Sequence, residues 1–258
     1  MSPTQKSTGT PVDGAPAKGL PPAAGLRGIA VEIGAGAAVL AYGYCIVKLV
    51  PEALYVPVNL AAACTAVALA HRAGAGWSDL GLARDRLFDG ARWGLLSAIP
   101  IAAVVATGVA ITLTRPYFVE ARFESLAVAP LLYELLLRIP LGTALSEELI
   151  FRGGLLGFYQ RRHSFWRAAL MSSLVFGLWH VLPAIGSVSS NAAGETLSSA
   201  GARAAGVAGT VIATGAAGLV FCWLRKRSGS VLAPTITHAA LNGLAVVGGL
   251  IVARWLGG

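Results

Sequence analysis

Two adjacent carboxylates, Glu147 and Glu148, close a strongly apolar run from Ala129 to Ile150, and Arg152 follows four residues after the second of them. A charge at the centre of a bilayer costs roughly 2.5–3.5 kcal/mol on insertion scales, so such groups are usually paired and functional. His180 lies in a second apolar segment, and His238 with Asn242 in a third. Two carboxylates, two imidazoles and an amide inside a helical membrane bundle are the parts of a site that activates water.

The spacing divides the labour. On a helix Glu148 and Arg152 share a face at i, i+4 and can pair, while Glu147 is rotated about 100° away. One carboxylate is then committed to an ion pair and the other is free to face a cavity as a general base. The alternative is that both lie at a helix end in the headgroup zone. Phe176 and His180 also share a face, so the ring can pack beside the imidazole and orient it; a lone histidine in an apolar helix is otherwise a structural residue. His238 and Asn242 present two polar groups on one face of a span whose remainder is small and apolar, four residues after a potential kink at Pro234. Such a pair also serves as hydrogen-bonding glue between helices. Of the four histidines in the chain, two fall in spans, and three segments bring polar groups to similar depth, which favours a shared site. Glu134 and Arg138, again at i, i+4, are expected simply to neutralise each other. Glu32, near the end of the first apolar run, is expected to snorkel or find a partner.

The elements that must hold these groups are membrane spans. The chain has 258 residues, 55% hydrophobic and 12% charged, with a mean hydropathy of +0.69; a soluble domain carries about twice that charge fraction. The expected fold is all-α, a polytopic transmembrane bundle. A span needs about 20 residues. The candidates are 28–50, 54–70, 93–113, 129–150, 168–185, 204–224 and 231–253, with an eighth element open because Leu80–Ala91 could form an interfacial helix. Residues 1–26, rich in Pro, Gly, Ser, Thr and Ala, read as a disordered cytoplasmic tail, and 27–258 as the transmembrane domain. The first long apolar run is span-length and reads as a retained helix.

Loop charges give the orientation. With the N-terminus cytoplasmic, Arg27, Arg72, Arg84, Arg86, Arg92, Arg161, Arg162, Arg167, Arg225, Lys226 and Arg227 all fall inside, along with the tail lysines. Lys48, Arg115, Arg122, Arg203 and Arg254 fall outside, a strong positive-inside bias. The loop 186–204 then faces outside, as a linker or a flap. The net charge of +8 does not imply nucleic acid, because the basic residues flank apolar runs and form no single patch. Cys45, Cys64 and Cys222 lie in apolar segments without CxxC pairing and read as inert.

Glu-Glu-x-x-x-Arg at 147–152, Phe-x-x-x-His at 176–180 and His-x-x-x-Asn at 238–242 occur in that order on separate spans. This resembles the CPBP family of intramembrane proteases, also called the Abi or CAAX-protease family, over about residues 77–252. The resemblance implies an intramembrane endopeptidase of membrane-associated or lipidated, CAAX-like proteins, in an integral membrane setting surrounded by lipid. The Ala/Gly/Arg-rich composition suggests a bacterial plasma membrane. By resemblance Glu147 activates water with the help of His180, His238 and Asn242 orient the water or stabilise the oxyanion, and Glu148, Arg152 and Phe176 support the site. The family is commonly labelled metalloprotease. One divalent metal such as zinc would take Glu147, His180 and His238 as ligands, and a metal-free mechanism uses the same residues. Two other classes stay open: a catalytically silent scaffold for bacteriocin immunity or stress signalling, and a small transporter or proton relay, which would predict symmetry between halves that the chain lacks.

Overall fold

The computed structural model of the protein describes residues 26–118, 127–190 and 199–256. Among these residues all regular structure is helical, and seven helices are long and apolar enough to cross a membrane. The expected all-α bundle and its seven spans are therefore present. The tail before Leu26 lies outside the described residues, as does 191–198 of the predicted loop.

The chain runs through α1 (Leu26–Lys48), α2 (Tyr55–Arg72), α3 (Leu87–Ala110), α4 (Val128–Gln160), α5 (Phe165–Trp179), α6 (Val181–Ser190), α7 (Ala200–Ser228) and α8 (Leu232–Ile251). Two expectations are corrected. Leu80–Ala91 is not a separate interfacial helix: residues 74–83 form turns, and from Arg84 the chain winds into α3. Leu80 is fully buried in that turn, and Gly81 has φ +71°, a left-handed conformation suited to glycine. Arg225 of α7 donates to the carbonyl of Asp79, and the Val231 amide donates to the carbonyl of Gly81 at 2.9 Å, so both sides of the α7–α8 connection hold the turn. The loop expected from residue 186 begins instead as helix, since α6 carries on to Ser190.

Small residues set the packing. α8 runs along α3, where Gly90 and Gly94 lie against Ser230, Ala233 and Ile236. α2 lies on α4 at Gly154, whose missing Cβ would come within 3.1 Å of the Ala66 backbone. α7 packs on α5 at Gly177, next to the Val211 carbonyl. In lipid, where apolar surface gives no drive to associate, such close backbone approach supplies the van der Waals contact that holds helices together.

The helix bearing the carboxylates is not wound uniformly. From Glu134 to Leu145, and again from Leu149 to Leu155, α4 is π-helical, with Ser146–Glu148 α-helical between them. Widened turns of this kind are concentrated at functional sites. Pro140 inside the first stretch cannot donate a backbone bond, and Ser146 Oγ donates to the Leu141 carbonyl at 2.7 Å.

Candidate active site

Glu147 and Glu148 are neighbours with different surroundings. Glu148 is fully buried, as is Arg152, whose Nη1 donates to Glu148 Oε1 at 3.0 Å. The same oxygen accepts from His238 Nδ1 at 2.9 Å, across from α8. Arg152 also stacks its guanidinium 4.1 Å from the centre of the Phe176 ring and 5.1 Å from that of Phe221. The approach of Arg152 Nη2 to α7 is possible because residue 218 is glycine; a Cβ there would meet Nη2 at 3.1 Å. The pairing predicted from i, i+4 spacing is therefore present, in the protein interior and within α4 rather than at its end.

Glu147 faces the other way and lines a cavity of about 520 Å³ together with His180 and Asn242. Its Oε1 accepts from Trp179 Nε1 at 3.2 Å. Its Oε2 is buried without a hydrogen-bond partner, 4.0 Å from His238 Nε2. That separation is too long for a direct hydrogen bond and suits a pair that shares a small group between them.

His180 sits at the break where α5 ends and α6 begins. Its Nδ1 donates to the Phe176 carbonyl at 2.8 Å, which leaves Nε2 of the neutral ring as the acceptor. The Phe176 ring lies edge-on to His180, with centroids 4.6 Å apart, so the expected packing of ring on imidazole is present. His238 is nearly fully buried, stacked at 5.2 Å on Phe221, with Phe176 edge-on at 6.1 Å. Asn242, one turn further along α8, is half-buried in the cavity wall.

The structure thus brings Glu147, His180 and Asn242 to one cavity, with His238 behind Glu147 and with Glu148, Arg152 and Phe176 behind His238. Trp179 and Phe221 were not anticipated. Trp179 had a signal, being an indole donor beside His180 on the same short motif; Phe221 had none, because its contact with His238 is set by the docking of α7. Glu134 and Arg138, expected only to neutralise each other, also line this cavity. Glu32, expected to find a partner, contacts His163 Nε2 at 3.0 Å and Arg162 Nη1 at 3.7 Å, in a cluster apart from this site.

The ligand set considered for a metal is not assembled. Among the described residues no three His, Cys, Asp or Glu side chains lie together in a way that would hold an ion. Nδ1 of each histidine is bonded, to a carbonyl in one case and to Glu148 in the other, so Nε2 is the ring position left toward an added group.

Residues 127–244, a little under half of the chain, match the family model described as Rce1-like, type II CAAX prenyl endopeptidase. The matched stretch contains every residue of the site and agrees with the CPBP resemblance of the three motifs. No match was found among curated proteins or solved structures. The chain carries an Rce1-like region in an integral membrane bundle, which supports CAAX-type intramembrane endopeptidase activity in general terms.

Proposed function

We propose that the protein hydrolyses a peptide bond in membrane-associated or lipidated, CAAX-like proteins, with Glu147 as the general base. The observation that carries this reading is the buried, unbonded Oε2 of Glu147, beside an imidazole and in the wall of a cavity shared with His180 and Asn242. Glu147 takes a proton from water, and the water oxygen bonds to the scissile carbonyl carbon. The carbonyl oxygen becomes an oxyanion, which accepts from the Asn242 amide, with the His238 ring beside it. Collapse of this intermediate breaks the C–N bond, and the proton held by Glu147 passes to the leaving amine. His180, its Nε2 free to accept, assists the proton transfers.

Glu148 pairs with His238 Nδ1 and is itself held by Arg152, so these two act as positioning residues that fix the ring.

A comparison of protein N- and C-termini in host membranes carrying wild-type protein or Glu147→Ala, at matched expression, tests the reading and identifies substrates. Termini that appear only with the wild type support proteolysis. Matching profiles, with the host phenotype retained by Glu147→Ala, would point instead to a non-enzymatic scaffold.

A further inference from the structure

The cavity that holds Glu147 and the basic connections of the chain lie at opposite ends of the bundle. The cavity takes Val47 from the last turn of α1, Tyr55 from the first turn of α2, and Tyr117 and Phe118 from the connection that leaves α3. Its lining continues along the first half of α4, at Glu134, and the second half of α8, at Asn242. All of these places lie toward the end where α1 finishes and α2 starts. Tyr117, 64% exposed, stands at the rim.

Basic side chains brace the other end into one layer. Arg161, just after α4, donates to the carbonyl of Gly74, just after α2. Arg225, near the end of α7, donates to the carbonyl of Asp79 in the same connection. Arg162 lies 3.7 Å from Glu32, near the start of α1. Arg72, Arg84, Arg86, Lys226 and Arg227 belong to this end too. Among the described residues the cavity end carries Lys48, Arg115, Arg203 and Arg254, and Arg115 is committed to closing α3, its Nε donating to the Val109 carbonyl at 3.0 Å. Connections rich in Lys and Arg stay in the cytoplasm. The braced layer is then the cytoplasmic one, and the cavity opens on the opposite face.

The way in from the basic end is filled. Roughly 18–20 Å of helix separates Glu147 from Gln160, the last residue of α4. Phe151, Leu155, Leu156 and Leu224 are buried along that stretch.

Resting on the function proposed above, we infer that substrates reach Glu147 from the non-cytoplasmic face, and that they are membrane-anchored proteins displayed on that face. Glu147 lies within a span, so the bond that is cut adjoins the anchor. A protein held only at the cytoplasmic leaflet is spared.

Sealed right-side-out and inside-out membrane vesicles from a host expressing the full chain test this in two arms. The first arm reads sidedness with a sulfonated, membrane-impermeant maleimide. It compares Tyr117→Cys at the rim with Lys226→Cys at the basic end, both exposed positions, against the background from the native cysteines. Tyr117→Cys should label in right-side-out vesicles and lose that labelling in inside-out ones; Lys226→Cys should do the reverse. Val47→Cys takes the place of Tyr117→Cys if that protein does not accumulate. The second arm adds an S-prenylated peptide bearing a sulfonated dye, which cannot cross the bilayer, with Glu147→Gln protein as the blank. Cleavage should occur in right-side-out vesicles and be lost in inside-out ones. Labelling of Tyr117→Cys from the cytoplasmic side, labelling of both positions from one side, or cleavage confined to inside-out vesicles overturns the inference. Absence of Glu147-dependent cleavage in both vesicle types withdraws the proteolytic reading and the substrate class with it, even where the labelling places the mouth of the cavity outside.

Discussion

Two Glu–Arg pairs sit on the same helix with the same i, i+4 spacing, and their surroundings give them different work. Glu148 and Arg152 have no solvent exposure, and the aromatic rings of Phe176 and Phe221 flank the guanidinium. Glu134 and Arg138 have side chains 11% and 20% exposed, at the wall of the cavity. The first pair holds His238 in place through a shared carboxylate oxygen; the second faces the space where a substrate would lie. Spacing identifies both as pairs, and only their neighbours tell a buried brace from a pair that lines a cavity.

Breaking the inner pair is expected to have the largest effect. Arg152→Ala leaves Glu148 in the interior with only its His238 contact, and breaking a buried ion pair costs about 3–5 kcal/mol. Thermal unfolding in detergent or nanodiscs should show a large drop, with activity lost alongside the fold. Arg138→Ala, at the cavity wall, should unfold at a temperature much closer to that of the wild type. Equal drops for the two would erase the distinction drawn here.

Asn242→Ala should separate chemistry from stability. Removing one oxyanion donor typically lowers turnover by about 10²–10³, and the residue is only half-buried, so the unfolding temperature should change little. A fall in stability as large as that of Arg152→Ala would place Asn242 among the braces. The smallest effect expected is that of Trp179→Phe, which keeps an aromatic ring near Phe151 and Tyr42 but deletes the donor to Glu147. Loss of a hydrogen bond to a charged group is worth roughly 1.5–3 kcal/mol, and it should appear as reduced turnover with protein levels maintained.

The sequence made the helices legible because membrane spans are written in length and hydropathy, and it made both ion pairs legible because i, i+4 neighbours meet on any helix. Glu147, His180, His238 and Asn242 were singled out by charge at membrane depth. Their grouping was less visible. The bond from His238 to Glu148 joins residues 90 positions apart, and no local pattern encodes it. The segment Leu80–Ala91 misled because it is split between a turn, where Leu80 is buried, and the start of α3, with Arg225 and the Val231 amide as the anchors of the turn. The cavity role of Arg138 was hidden for the same reason: α2 and α8 create the space around it, and neither is near it in sequence.

Metal dependence bears on the same comparison. With no three His, Cys, Asp or Glu side chains gathered around one point among the described residues, the account expects cleavage to survive exhaustive treatment with a strong chelator. Loss of activity that zinc restores would mean that Glu147, His180 and His238 rearrange into a coordination set.

The most direct test of the central claim is single-turnover cleavage of an S-prenylated peptide by purified wild-type and Glu147→Gln protein in nanodiscs, with thermal unfolding measured on both. The glutamine keeps an acceptor for Trp179 and removes the base. A loss of about 10²–10⁴ in rate with the unfolding temperature retained is the predicted result. Equal cleavage by the two proteins would contradict the assignment of Glu147 as the base.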